Sequence, residues 1–161
     1  MIFVTVGSQL PFDRLTGAVD AWAADHPEAE LFGQVGDTDE PPENFSSVST
    51  MSPEEYQQRF SSADLIVGHA GMGTIFAALE FGKPLLMLPR RASLMESRND
   101  NQLGTARHFR CFAQFEAVEQ ESKISAMIDH MLANADCYPC TDNESVASDS
   151  LVDAIREFVG P

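Results

Sequence analysis

The sequence predicts an α/β fold in which a doubly wound parallel sheet carries helices on both faces. Two observations predict it. Short apolar runs alternate along the chain with segments of helical periodicity, and glycine and proline mark the boundaries between them. The length of 161 residues favours one domain, 1–161, which can bury a core without metal or disulfide staples. A parallel sheet binds ligands at the carboxyl ends of its strands, so we expect function in the loops after the first, fourth and fifth strands.

The individual elements follow from the same pattern. Apolar runs predict six strands, at 2–6, 30–35, 45–51, 65–67, 85–88 and 111–115. Periodic segments predict helices at 13–25, 52–62, 74–81, 99–109 and 122–135, with a loose polar segment at 135–150 and a short closing helix at 151–159. The run Ser52-Pro53-Glu54-Glu55 is typical of a helix start with a capping box, and Gly82 and Pro84 end the third helix.

Charge and composition exclude several classes of protein. Ten basic and 25 acidic residues give a net charge of −15, which argues against nucleic acid and against direct binding to an anionic membrane surface. No apolar run approaches the length of a membrane span. The opening residues lack the basic region of a signal peptide and are predicted to be the first strand. Three cysteines give no disulfide framework, so we expect a reducing, cytoplasmic compartment.

The sharpest motif, His69-Ala70-Gly71-Met72-Gly73-Thr74, lies between a predicted strand and a predicted helix. Its two glycines allow a tight turn and close approach of a ligand, and free amides at the helix start suit a diphosphate. The Thr74 hydroxyl and the His69 ring add donors, and phosphate would favour the charged ring. The alternative is a plain glycine-rich turn in which the hydrogen bonds of the histidine are made within the protein. The motif is neither a dinucleotide fingerprint nor a Walker A sequence.

Two further loops are candidates. The run 96–102 after the fifth strand places carboxylate and amide groups at a helix start, where they could bind sugar hydroxyls. Ordinary capping by Asn99 or Asp100 is the alternative. Gly7-Ser8-Gln9 after the first strand could offer amides to the same diphosphate, or could be a plain turn.

Taken together, these motifs resemble the glycosyltransferase family 28 C-terminal domain. The resemblance rests on segments 4–7, 12–15, 69–75, 79–84, 89–91 and 99–102 and covers about residues 1–115. Within the family, the chain is similar to the small soluble subunits of bacterial exopolysaccharide and capsule glycosyltransferases and of the eukaryotic dolichol-linked N-acetylglucosaminyltransferase. The resemblance implies a Rossmann-like domain that forms one half of a GT-B fold. A membrane-anchored partner would then supply the lipid-linked acceptor and the general base.

The resemblance also implies a function and a set of site residues. It implies the UDP-sugar-binding subunit of an inverting hexosyltransferase in polysaccharide biosynthesis, active only with its partner and needing neither metal nor cofactor. The diphosphate would contact His69, Gly71, Met72, Gly73 and Thr74, with Gly7 and Ser8 opposite. The uracil would be read by the backbone at Met51 and Ser52. The donor sugar would face Asp100, Asn101 and Gln102.

The chain departs from the family pattern in two places. Many relatives have an acid at the position of Ala77 for the ribose hydroxyls, and alanine cannot bind them. Glu80, one turn later, could replace that acid, or it could be a surface acid. Asn101 stands where the branch commonly has histidine, which puts the choice of sugar in question. The missing acid motivates an alternative, a non-catalytic regulatory or assembly subunit of such a transferase.

Other residues give weaker signals. Cys137 and Cys140 have the spacing of a redox pair or a zinc knuckle, but neither context is visible, so we expect loop cysteines. Arg90 and Arg91 could bind phosphate or a partner, and solvated arginines at a strand end are the alternative.

Overall fold

The computed structural model describes residues 1–7 and 10–138. The strands are β1 (Ile2–Thr5), β2 (Leu31–Gln34), β3 (Ser46–Val48), β4 (Leu65–His69), β5 (Leu85–Leu88) and β6 (Phe115–Ala117). They form one parallel sheet in the order β3-β2-β1-β4-β5-β6. The chain reverses its direction of winding between β1 and β4, which makes the carboxyl ends of these two strands the switch point of the sheet. The predicted doubly wound α/β fold is confirmed.

Helices cover both faces of the sheet. They are α1 (Asp13–Asp25), α2 (Pro53–Ser62), α3 (Met72–Glu80), α4 (Asn101–Phe109) and α5 (Ile124–Ala133). The apolar sides of α1 and α5 pack on one face, and those of α2, α3 and α4 pack on the other. Successive side chains of β1 point to opposite faces, so Val4 joins the first core and Phe3 the second. Burial on both faces explains why the central strands are continuously apolar.

Several predicted boundaries are wrong by a few residues. The predicted sixth strand at 111–115 is instead a series of turns, and β6 begins only at Phe115. The ring centroids of Phe109 and Phe112 lie 5.7 Å apart, and those of Phe112 and Phe115 are separated by the same distance. The three rings therefore cluster at the end of α4, and the run 111–115 does not alternate across a strand. At the main motif, β4 runs to His69 and α3 begins at Met72, two residues before its predicted start. Gly73 is therefore a helical residue.

Ser52 begins α2 with the predicted capping box. Its hydroxyl accepts a hydrogen bond of 3.2 Å from the Glu55 amide, and the Glu55 carboxylate accepts one of 2.9 Å from the Ser52 amide. Pro53 occupies the first helical position, where no amide donor is needed. The cap fixes the direction in which the chain enters α2 beside the carboxyl end of the sheet.

Removing this cap should destabilise the protein. Ser52→Ala leaves a first-turn amide without its acceptor, so we expect the free energy of unfolding to fall by about 1 kcal/mol. Ser52→Thr keeps the hydroxyl and should lose much less. Urea denaturation followed by circular dichroism measures both. An alanine variant as stable as the wild type would contradict this account of the helix start.

The end of the chain is described only to Tyr138. Ala135–Cys137 form a short 3-10 helix, and Tyr138 packs into the core. The rest of the predicted polar segment at 135–150, Cys140 and the predicted closing helix at 151–159 lie outside the described residues. In the parts that are described, no helix is both long and apolar enough to cross a bilayer.

Candidate functional site

A cleft of about 1030 Å³ opens at the carboxyl ends of β1, β2, β4 and β5. The ends of these strands, the loops after them and the first turns of α2, α3 and α4 line it, with the residues Val6, Gly7, Leu10, Gln34, Met51, Pro53, Tyr56, Gln57, His69, Gly71, Met72, Gly73, Thr74, Arg90, Glu96, Ser97, Arg98 and Gln102. A smaller hollow of about 380 Å³ adjoins it at Met51. The larger cleft lies at the sheet edge where the topology predicts a ligand.

His69 lines the cleft, and two glycines leave room for its ring. A Cβ atom at Gly71 would lie 2.1 Å from His69 Nε2, and one at Gly7 would lie 2.7 Å from His69 Cε1. Gly7 also has a φ of +82°, a left-handed conformation that favours glycine. These contacts give both glycines a definite structural role.

With its protein neighbours alone, His69 is neutral at pH 7. Burial and, to a smaller extent, the positive charge of Arg90 together lower the pKa of the ring to about 4, although a hydrogen bond with the Thr5 backbone partly offsets them. The sequence prediction of a charged ring refers to a ring beside phosphate. The structure adds that such a ring would have to take up a proton when the anion arrives.

The start of α3 presents free amides to the cleft. Gly71 is the N-cap and offers no side chain to the first turn, so the amides there are free for a ligand. A Cβ atom at Gly73 would meet nothing within 4 Å. Glycine is costly inside a helix, and here it keeps the amides open to close approach. The helix dipole adds positive potential at this point, which suits an anion.

A network of buried polar groups forms the floor beneath His69. Thr5 and Thr74 are buried, and their side chains act on the Tyr56 hydroxyl in the direction opposite to burial, by lowering its pKa. Gln34 Oε1 lies 3.5 Å from Thr5 Oγ1, and Thr74 Oγ1 lies 3.5 Å from His69 Nδ1. Burial raises the pKa of Tyr56, so its hydroxyl stays protonated. The network fixes the Thr74 hydroxyl and the imidazole relative to the sheet.

The loop between β5 and α4 forms the opposite wall. Glu96 accepts hydrogen bonds of 2.6 and 2.9 Å from Arg14 and one of 2.8 Å from the Arg91 amide. Gln102 Oε1 accepts a bond of 3.1 Å from the Arg90 amide. The interpretation of Arg90 as a solvated arginine is wrong, because its side chain is buried.

The structure brings most of the predicted residues together. Gly7, Met51, Gln102 and the whole motif from His69 to Thr74, apart from the buried Ala70, line the cleft. Ser52 instead caps α2, and the Asp100 carboxylate accepts a hydrogen bond from the Ala92 amide. Neither they nor the exposed Asn101 and Glu80 line the cleft. Ser8 lies outside the described residues.

Sequence reasoning missed several lining residues. Gln34 ends β2, so the rule about carboxyl ends of strands could have found it. Tyr56 follows the predicted cap of α2 by one turn, on the side that packs against Phe3. Among the residues described, no group of three or more histidine, cysteine or acidic side chains could hold a metal ion.

Comparison with known proteins adds independent observations. A family model described as the glycosyltransferase family 28 C-terminal domain matches residues 1–157, well beyond the segment of about 1–115 in which the sequence motifs lie. No curated protein matches the chain.

Solved structures share the fold. The glycotransferase of kitacinnamycin has 19% identity and a TM-score of 0.65 over 85% of this chain and 36% of its own. MurG of Acinetobacter baumannii has 20% identity and a TM-score of 0.60 over 84% and 42%. The UDP-GlcNAc 2-epimerase of Neisseria meningitidis was solved bound to UDP-GlcNAc. It has 12% identity and a TM-score of 0.65 over 98% of this chain and 44% of its own. The chain thus spans less than half the length of each, which is one half of a GT-B fold.

Proposed function

Because this chain belongs to the family of glycosyltransferase family 28 C-terminal domains, we propose that it is the UDP-sugar-binding subunit of a two-subunit, inverting, metal-independent glycosyltransferase. Its acceptor would be lipid-linked, in cytoplasmic polysaccharide biosynthesis. The observation that supports this most strongly is the junction of β4 and α3. There an imidazole, a hydroxyl and open helix amides converge on one cleft. The UDP-sugar bound in a structural neighbour supports the uridine nucleotide.

In this proposal the diphosphate binds at the start of α3. The amides around Gly73 and the Thr74 hydroxyl donate to its oxygens, and the His69 ring lies beside it. Met51 borders the same cleft and would place its backbone against the uracil. Gln102 keeps its amide NH₂ group for the donor sugar, because its oxygen is bound to the Arg90 amide.

The reaction would be a single displacement. The acceptor hydroxyl attacks the anomeric carbon, its proton passes to a base on the partner, and the bond to the UDP oxygen breaks with its electrons. Negative charge therefore grows on the diphosphate as the sugar is transferred. Donors already aimed at those oxygens lower the barrier without having to reorganise.

The partner would cover an apolar rim around the cleft. Leu10 and Met72 line the cleft and are exposed, and Phe76 lies one turn along α3 from Met72. Leu94 and Met95 precede Glu96 in the opposite wall, and Met95 is 92% exposed with a φ of 56°. An exposed, adaptable methionine in a strained backbone position is typical of an interaction site. This chain covers only 36% and 42% of the length of two structural neighbours, which supports a second, acceptor-binding half at this rim.

Calorimetric titration of the full chain with UDP tests nucleotide binding. We expect saturable one-to-one binding of UDP and much weaker binding of ADP. No heat and no thermal stabilisation with UDP would favour the alternative of a regulatory or assembly subunit, which Ala77 motivates. Turnover of a UDP-sugar by the isolated chain with a lipid-linked acceptor should be absent. Robust turnover without any partner would contradict the two-subunit arrangement.

A matched pair of glycine variants tests the helix start. Gly73→Ala should raise the free energy of unfolding by up to about 1 kcal/mol, because its methyl group meets no protein atom. It should nevertheless weaken UDP binding, since one misplaced methylene group in a pocket is worth about 10- to 200-fold. Gly17→Ala in α1, also without a neighbour within 4 Å, should stabilise the protein and leave binding unchanged. Undiminished UDP affinity in Gly73→Ala would place the nucleotide elsewhere.

A further inference from the structure

Arg90 joins the two loops that form opposite sides of the cleft. Its Nη1 donates hydrogen bonds of 2.8 Å to the Pro11 carbonyl and 3.3 Å to the Glu96 carbonyl. Its Nη2 donates bonds of 2.9 Å to the Val6 carbonyl and 2.6 Å to the Leu10 carbonyl. One guanidinium therefore holds the loop after β1 to the loop after β5.

The charge of Arg90 is buried without a direct counter-ion. Its side chain is 5% exposed, and among the described residues no carboxylate lies within ion-pair distance of it. Glu96 and Asp13 attract it only from farther away, and the Glu96 carboxylate is already held by Arg14. The Phe12 ring, 4.5 Å from the guanidinium carbon, is its other neighbour. Burying a charge in this way is costly unless something else compensates it.

We propose that Arg90 is a positioning residue of the donor site. It fixes the loop that carries Gly7 opposite the start of α3, and its buried charge, which no carboxylate of the described residues contacts directly, favours an anion in the cleft. This inference rests on the proposed function for the identity of the anion, a nucleoside diphosphate. The anion completes the electrostatic balance that the protein side chains leave open.

The position of Arg90 agrees with both parts of this role. It borders the same cleft as His69 and Gly7, and its charge helps to keep the His69 ring neutral in the absence of phosphate. Its four carbonyl partners match the planar fork of a guanidinium, which lysine cannot reproduce. A purely structural arginine would hold the loops but would not need to be electrically coupled to the cleft.

Two substitutions separate the hydrogen-bonding geometry of the guanidinium group, its planar fork, from its positive charge. Arg90→Lys keeps the charge and loses the fork, whereas Arg90→Met loses both. In both variants we expect faster hydrogen exchange at the amides of Gly7 and Leu10. Only Arg90→Met should raise the pKa of His69, followed by NMR. UDP affinity should fall about tenfold with lysine and about 100-fold with methionine, since small displacements of a binding group have effects of this size.

The control is Arg107→Met, which makes the same change in net charge at an exposed ion pair with Glu119. It should alter none of the three measurements. Wild-type loop exchange and UDP affinity in Arg90→Lys, or an unchanged His69 pKa in Arg90→Met, would overturn the proposal. If Arg90→Met does not fold, the role of the Arg90 charge is tested on the wild-type protein by NMR. Addition of UDP should then shift the Arg90 Nη–H resonances, and unshifted resonances would overturn the proposal.

The two proposals fail in different ways. Loop exchange and the His69 pKa are measured without nucleotide, so they test Arg90 even if the wild type does not bind UDP. Absence of UDP binding with the expected loop and pKa effects would refute the uridine donor and leave the positioning role intact. Normal UDP binding that is unaffected by substitution of Arg90 would refute the positioning role and leave the uridine donor intact.

Discussion

Gly71→Ala should weaken UDP binding by about 100-fold or more, because the new methyl group would overlap the His69 ring. A Cβ atom there would lie 2.1 Å from Nε2, which is closer than any contact that real side chains make. On its other side the ring lies beside Gly7, where an added Cβ atom would be 2.7 Å from Cε1. Either the ring leaves the cleft or the start of α3 moves, and a displacement of about 1 Å is enough for an effect of this size.

A double-mutant cycle shows whether the ring is the cause. If the overlap with the imidazole destabilises Gly71→Ala, removal of the ring in Gly71→Ala/His69→Ala should recover much of the lost stability without restoring UDP affinity. Denaturation and calorimetry measure the two quantities separately. Gly17→Ala is the matched control for adding a methyl group to a helix. A folded Gly71→Ala protein with nearly wild-type affinity would show that UDP does not depend on this arrangement.

The β4–α3 junction was the part of the site most accessible from sequence. A buried apolar run, two glycines and a periodic segment are local signals, and the structure has the strand, the turn and the helix in the predicted order, although the turn is shorter than predicted because β4 runs to His69 and α3 begins at Met72. The segment after α4 was less accessible, because the apolar run 111–115 predicts a strand, whereas the Phe112 ring packs between those of Phe109 and Phe115. Their mutual packing is a property of the folded chain.

Helix geometry explains why only part of the 100–102 run reaches the cleft. Successive residues of a helix point about 100° apart, so three consecutive residues cannot face one ligand together. Gln102 lines the cleft, while Asp100 and Asn101 do not. Glu80 lies seven residues beyond Gly73, or about 10 Å along the axis of α3. No local pattern could have shown this, because it depends on which face of each helix the sheet occupies.

The burial of Arg90 could not be predicted from the sequence, for a different reason. Charged residues are exposed in most proteins, so a solvated side chain is the default expectation for an arginine at a strand end. Its burial depends on the carbonyls of Val6, Leu10 and Pro11, which lie 79 to 84 residues earlier in the chain and come close to Arg90 only in the folded protein. Long-range hydrogen bonds of this kind leave no periodicity in the sequence.

His69→Ala should slow turnover of the complete two-subunit enzyme by about 100- to 1,000-fold, the usual effect of removing one donor that stabilises transition-state charge. His69→Gln keeps an N–H group but cannot take up a proton, so its loss should be smaller. The pKa of the ring, about 4 with protein neighbours alone, must rise beside a diphosphate. The complex therefore holds more protons than the free protein above pH 4, and by linkage the contribution of the ring to affinity grows as the pH falls from 7 toward 5.

Calorimetry in buffers of different ionisation heat measures this proton uptake directly. The titration of the nucleotide's own phosphate is common to wild type and His69→Gln, so the difference between the two proteins isolates the ring. We expect the wild type to take up more protons than His69→Gln when UDP binds, with the largest difference near pH 5. Equal uptake would mean that the imidazole stays neutral beside the diphosphate. Its role would then be limited to a hydrogen bond, because a neutral ring adds no charge to the helix amides and the buried Arg90.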